Sequence, residues 1–198
     1  MKSSWLVALC CAMLAACAGH EDVQPRDVSD ICAIYRDNPH WATLARESAR
    51  KWSAPEEVKM AIIWRESSFR AEARPPRKYF LGVPTGRLSS AYGYPQAIDG
   101  TWDWYRKETG NSRAERDDFE DAIDFVGWYL DKTRAMNGVP TQDAFSQYIA
   151  YHEGHGGYRS GAWRAKPDVR RAASQVAAQA ARYRAQLSRC GGAQLASR

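Results

Sequence analysis

The sequence holds no convincing strand pattern, no internal repeat and no cysteine cluster at metal-ligand spacing. Without alternating apolar runs there is no basis for a sheet, and without clustered thiolates none for a structural zinc site. A Gly-x-Ser-x-Gly elbow is missing too, along with the strands that would support one, so a Ser-His-Asp hydrolase of the α/β kind has no scaffold. No nucleic-acid-binding motif occurs. The formal net charge is +5, but the basic residues are dispersed among acids, so nucleic acid is not an expected partner. The apolar stretch Trp5 to Ala16 is too short to span a bilayer comfortably.

What is present is a chain of 198 residues, enough for one domain with a proper core and a tail. Aromatic residues make up 12%, with eight tryptophans. They fill cores, and an excess of Trp and Tyr also suits sugar-binding clefts.

The N-terminus reads as a targeting segment. Lys2 precedes the apolar stretch, which ends Leu14-Ala15-Ala16-Cys17. This resembles the lipobox of bacterial lipoproteins, in which the cysteine is acylated and becomes the new N-terminus. The resemblance implies a signal peptide over 1–16, a lipid on Cys17, and a membrane anchor through it. The alternatives are an ordinary signal peptide cut near Ala18 and an uncleaved anchor. Ala18 in place of an aspartate after the cysteine points, by the sorting rule of enteric-type bacteria, to the periplasmic side of the outer membrane. Cys10 and Cys11 leave with the signal. Cys32 and Cys190 remain, one near each end of the mature chain, and an oxidising compartment would let them form a disulfide around almost the whole domain. Two unpaired thiols are the alternative.

Residues 17–28 are polar and read as a tether. The domain then runs over 29–190, with a tail at 191–198. A short helix is expected from Ser29 to Arg36. Asn38-Pro39 starts a second helix with Trp41, Leu44, Ala45, Ser48 and Trp52 inward. Ser53-Ala54-Pro55-Glu56 reads as the capping box of a third. Arg70 to Ser90, rich in proline and basic residues, reads as a long loop, either a mobile excursion or a substrate-facing one. Helices follow from about Thr101 to Gly110, from Asp117-Asp118 to Asn137-Gly138, from a Thr141 cap through Phe145, Tyr148 and Ile149, and from Pro167 to about 188. The class is all-α, a single helical domain with little or no sheet.

The third helix carries the chemistry. Val58, Ala61, Ile62 and Glu66 recur at helical spacing, so Glu66 lies on or beside the apolar face near the helix C-terminus. Desolvation and the negative end of the helix dipole both disfavour its carboxylate. A glutamate held protonated near neutral pH is suited to general-acid work. The plainer alternative is a solvated glutamate paired with Arg65 or Arg70.

Three segments then align with a known pattern. Glu66-Ser67-Ser68-Phe69 matches the Glu-Ser-x-Phe motif of the lytic transglycosylase (SLT) family, Gly93-Tyr94-Pro95-Gln96 resembles its Gly-Leu-Met-Gln, and Ala150-Tyr151-His152 is similar to its Ala-Tyr-Asn. The resemblance covers roughly residues 38–163. It implies a goose-lysozyme-like fold and cleavage of the β-1,4 bond between N-acetylmuramic acid and N-acetylglucosamine in peptidoglycan. No cofactor and no metal is expected. Glu66 would protonate the glycosidic oxygen and then, as carboxylate, act as base on the muramic C6 hydroxyl, giving a 1,6-anhydro product. Ser67, Gln96, Tyr151 and His152 would bind substrate, with Ser67 bonding substrate or Glu66 and Tyr151 orienting Glu66 through its hydroxyl. Plain packing is the alternative for Ser67 and Tyr151. The departures are Tyr94-Pro95 for Leu-Met, His152 for Asn, and the longer connection before Gly93.

Three other readings compete. A lysozyme-type hydrolase needs a second carboxylate, at about 5–5.5 Å if retaining or about 6.5–9.5 Å if inverting; Glu153, Asp99 and Glu72 are available. Glu153 adjoins Tyr151-His152, and its alternative role is to hold the glycine-rich loop. A non-catalytic peptidoglycan-binding lipoprotein, or a scaffold of a cell-envelope assembly, would keep the cleft without turnover. His152 and His155 have no third ligand nearby in sequence, which argues against a metal site.

Overall fold

The computed structural model describes residues 22–195, with side chains through Cys190. The signal segment and Cys17 lie outside the described residues. The described residues form seven helices and one small hairpin: α1 (Ile31–Asp37), α2 (Pro39–Trp52), α3 (Glu56–Ser67), β1 (Arg77–Phe80), β2 (Val83–Arg87), α4 (Asp99–Thr109), α5 (Phe119–Asn137), α6 (Ala144–Ser160) and α7 (Pro167–Leu195), with a 3₁₀ turn at Ala162–Ala165 before the last.

Trp41 shows how the apolar stripes close. Its ring stacks on Phe119 at 3.8 Å and on Phe69 at 5.9 Å, and meets the edge of Tyr94 at 5.7 Å. It thereby joins α2, the start of α5 and the two motif segments around Phe69 and Tyr94. Each such aromatic pair adds about 0.5–1.5 kcal/mol beyond area burial. Tyr94, the residue that departs from the family's leucine, is therefore a core side chain. α5 lies against α2, and Gly127 allows the close approach. A Cβ there would come within 2.7 Å of both Ser48 Oγ and Trp52 Cδ1.

α3 is the central helix, packed against α2, α5 and α7. Val58, Lys59, Met60, Ala61, Ile62 and Ile63 are all fully buried, so the helix is enclosed on nearly every side rather than along one stripe. Its start differs from the capping-box expectation. Ser53 closes α2 in the left-handed region, its N–H bonded to Ala49, and Pro55 is the N-cap of α3 with no side-chain bond. Proline has no side-chain acceptor for the first-turn N–H groups, and the negative charges of Glu56 and Glu57 in that turn complement the helix dipole instead. Thr141 likewise does not cap α6. Its hydroxyl donates to Ser53 O at 2.7 Å, and Asp143 is the cap, accepting from Ser146 N.

The expected tether is held to the body from Asp22 onward. Asp22 accepts from Trp41 Nε1 at 2.7 Å, and the Asn38 side chain bonds the Val23 backbone in both directions. Cys32 and Cys190 form a disulfide with Cα atoms 6.0 Å apart, fastening α1 to the far part of α7. Gln186 reinforces this seam, accepting from Ile31 N and donating to Ser29 O.

Within the long connection after α3, the expected loop contains the β1–β2 hairpin, paired Arg77↔Arg87, Lys78↔Gly86, Tyr79↔Pro84 and Phe80↔Val83. Leu81 and Gly82 turn it, both at positive φ (47° and 81°), as a two-residue hairpin turn requires.

Candidate active site

The last turn of α3, the turn at 93–96 and the middle of α6 meet around Glu66. Ser68 ends α3 in the left-handed region, and Phe69 follows with φ 58°. Two successive non-glycine residues in this region are costly. They are held there because Phe69 is wholly buried against Trp41. The chain thus leaves α3 abruptly, with Glu66 at its edge.

Glu66 is partly accessible to solvent yet set deep in protein. Desolvation pushes its carboxyl up to about 7, against smaller opposing effects of a hydrogen bond from Tyr148 and the charge of Arg65. Among the described residues no other carboxylate contributes to this shift. The solvated, arginine-paired alternative does not describe this side chain.

The tyrosines of α6 divide two tasks. The Tyr148 hydroxyl bonds the Glu66 carboxyl. The Tyr151 hydroxyl, to which the motif assigned that bond, instead donates to Pro95 O at 2.6 Å. Tyr151 still lies close enough for the Glu66 charge to help hold its phenol protonated. One turn of α6 therefore contacts the carboxyl through one tyrosine and ties down the 93–96 turn through the other.

That turn is closely fitted. Gly93 has φ 76°, and a Cβ there would come within 2.0 Å of Arg116 O, which accepts from Tyr94 N. Gln96, with φ 48°, donates its amide to Ala73 O and Gly93 O, each at 2.8 Å. Its donors are thus occupied in clamping the turn, and Oε1 is what remains for anything entering the site. Ser67 departs from its expected role. It is buried, and its hydroxyl donates to Ile63 O one turn back at 3.2 Å. It faces the helix rather than substrate or Glu66, which is the packing alternative.

His152 is exposed beside Tyr148, ring centroids 6.1 Å apart, with Nδ1 3.1 Å from Glu153 Oε1. Glu153 itself is held by Lys166 at 2.6 Å, and these contacts lower its carboxyl below the usual range. It secures the start of the second half of α6, which breaks at Gly154 (φ 76°, ψ 162°). His155 is a core residue stacked on Tyr129 at 4.5 Å, with Nε2 3.0 Å from Thr133 Oγ1. The two histidines serve different surroundings, and no group of three potential metal ligands occurs among the described residues.

Other concavities exist. One lies between α2 and α5, lined by Glu47, Lys51, Glu120 and Asp124, and another lies beside Arg70, Arg74 and Arg87. Glu66 lines neither of them. Its chemistry, rather than cavity size, marks the site.

Tyr148 is the residue that motif reasoning missed. It reads as one more apolar-stripe aromatic between Phe145 and Ile149, and the one available signal is its position three residues before Tyr151, on the same helix face.

The chain matches the family described as "Transglycosylase SLT domain" over residues 5–190. No curated protein matches it. The match spans nearly the whole chain and takes in all three motif segments, so the protein belongs to the transglycosylase SLT family, whose domains carry transglycosylase-type, glycan-cleaving activity on peptidoglycan.

Proposed function

We propose that the protein is a lytic transglycosylase that cleaves the N-acetylmuramic acid–N-acetylglucosamine β-1,4 bond with Glu66 as its one acid–base group. The observation that carries it is a carboxyl raised to about 7 by desolvation at the end of α3, with no other described carboxylate contributing to that shift. At working pH Glu66 is partly protonated and gives its proton to the leaving glycosidic oxygen. Tyr148 then stabilises the carboxylate by donating to it. That carboxylate takes the proton from the muramic C6 hydroxyl as the C6 oxygen bonds to the anomeric carbon. The ring closure is intramolecular, so high effective molarity replaces a second enzymic carboxylate. Glu66 ends the cycle protonated, and the product carries a 1,6-anhydro bond.

The Gln96 Oε1 and the exposed His152 face the substrate side of this reading, while Tyr151 holds the 93–96 turn in place. An N-terminal lipid on Cys17 and residence on the periplasmic side of the outer membrane complete it. They rest on the Leu14-Ala15-Ala16-Cys17 sequence alone.

Digestion of purified sacculi followed by mass analysis tests the proposal. Soluble products should end in 1,6-anhydromuramic acid, and Glu66→Gln should release none while remaining folded. Reducing ends would replace this reading with hydrolysis. Binding to sacculi without any soluble product from the wild-type chain would replace it with a non-catalytic wall-binding role.

A further inference from the structure

The β1–β2 hairpin takes no part in the chemistry above, yet with Leu88 just after it, it carries most of the exposed large apolar side chains among the described residues. Eight large hydrophobic side chains are exposed among the described residues, and five of them are Tyr79, Phe80, Leu81, Val83 and Leu88. Leu81, at the turn, is 89% exposed. A cluster of this kind on a folded domain marks a contact surface.

How the apolar residues are distributed identifies the contact. Successive strand residues face opposite sides, so a hairpin that docks on a protein through one face carries its apolar residues at alternate positions. Here Tyr79 and Phe80 are neighbours in sequence and point to opposite faces, as do Arg77 and Lys78. The division runs along the hairpin instead, with an apolar tip over 79–83 and a basic base formed by Arg74, Arg77, Lys78 and Arg87. No acidic residue occurs from Ala73 to Ile98.

The base also lacks counter-charge. None of the four cations forms an ion pair with a described residue. Arg74 lies over the Tyr92 ring at 3.9 Å, and Arg87 donates to Pro75 O. Arg77 and Arg87 occupy directly opposed positions, where like charges are unfavourable unless an anion lies between them. Phe80 lies three residue steps along the strand from Arg77, a rise of about 10 Å. That is close to the distance of about 5–10 Å over which an interfacial segment passes from phosphate level into the acyl region. Leu81 and Val83 suit hydrocarbon, and the tip offers no amide or carboxylate side chain to a sugar.

We propose that the 77–87 hairpin is a membrane-docking finger, with Tyr79–Val83 entering an anionic phospholipid bilayer and Arg74, Arg77, Lys78 and Arg87 binding its phosphates. This contact is separate from any lipid on the N-terminus and from the Glu66 site.

Hydrogen exchange on the full chain reads the finger locally, whatever the N-terminal segment does. With vesicles containing phosphatidylglycerol, amides of 79–83 should exchange about tenfold more slowly than in buffer. Phosphatidylcholine vesicles should give little protection. Phe80→Asp with Leu81→Asp should abolish the effect. Arg77→Gln with Lys78→Gln leaves the tip intact and should remove the preference for anionic lipid, which covers the case in which the first variant disorders the hairpin. Unchanged exchange at 79–83 while the protein sediments with vesicles would overturn the proposal. So would protection by sacculi or muropeptides with none from vesicles, which would make the finger a wall contact.

Discussion

Tyr148, from the buried face of α6, bonds the carboxyl of Glu66 at the edge of α3. The bond favours the charged form and so opposes the desolvation that raises the carboxyl to about 7. Tyr148→Phe should therefore raise the Glu66 pKa further, by about one unit for the loss of a hydrogen bond to a charged group. In wall digestion, the fall in kcat/KM at alkaline pH should move upward by that amount. Tyr151→Phe, which releases Pro95 instead, should leave the limb in place and raise KM. Identical pH profiles for the two variants would mean that Tyr148 only packs.

Glu66 also makes native stability depend on pH. Its folded pKa is raised above the unfolded value, so its contribution is full below the unfolded pKa and is lost as pH rises through about 7. Glutamine carries no charge to desolvate. Glu66→Gln should match the wild type at pH 4 and exceed it at pH 8 by about 1–3 kcal/mol, after discounting for partial exposure. Thermal melts at the two pH values check this.

Lys59 shows the reverse dependence. It is fully buried in α3 and donates to Ala45 O at 2.9 Å. Burial lowers it to about 7, against the attraction of Glu56, Asp124 and Glu57. Above its folded pKa the unfolded chain holds a proton that the native chain does not, so stability rises with pH from about 7 to about 10. Lys59→Met, similar in volume and uncharged, should raise Tm by several degrees at pH 6 and by about half as much at pH 9. Equal effects at both would show that the ammonium is fully compensated in the fold.

Gly93→Ala should cost about 3 kcal/mol or more, combining the positive φ with a Cβ that has no room beside Arg116 O. The loss should appear in urea melts of the whole domain, because Tyr94 next to it is part of the Trp41 cluster. A neutral result would mean that the 93–96 turn is free to shift.

Opening the Cys32–Cys190 bridge by Cys32→Ser releases a closure of 158 residues. In the chain-entropy picture that is worth about 5 kcal/mol, and engineered and native bridges deliver about 2–5. A Tm drop of about 5–15 °C is expected. Melting with and without reductant is the check, and the variant should be insensitive to reductant.

The helices were legible where punctuation and periodicity agreed: Asp118 and Gly138 bound α5, Gly110 ends α4, and Pro167 opens α7. Ser53 and Thr141 have the right chemistry for caps, but each is taken up elsewhere, Ser53 by ending α2 and Thr141 by bonding Ser53 O. The hairpin was hidden by Pro84 inside a strand, by a bulge between Lys78 and Tyr79, and by leucine at a turn position where asparagine or glycine is usual. At the site, spacing located Glu66 and placed it near the apolar face. It could not say which of two tyrosines on one helix face reaches the carboxyl, since that depends on where Pro95 sits, 56 residues away along the chain.

The enclosure of α3 bears on how a polymer enters and leaves. A helix gripped on nearly all sides by α2, α5 and α7 cannot tilt or slide without opening the core, so the carboxyl it presents is effectively a fixed post. The opposite bank, the turn at 93–96, is anchored by Tyr94 in the Trp41 cluster and tied to α6 by the Tyr151–Pro95 hydrogen bond. With Glu66 and the 93–96 turn both fixed by buried side chains, a strand has to fit the site rather than the site yield to it.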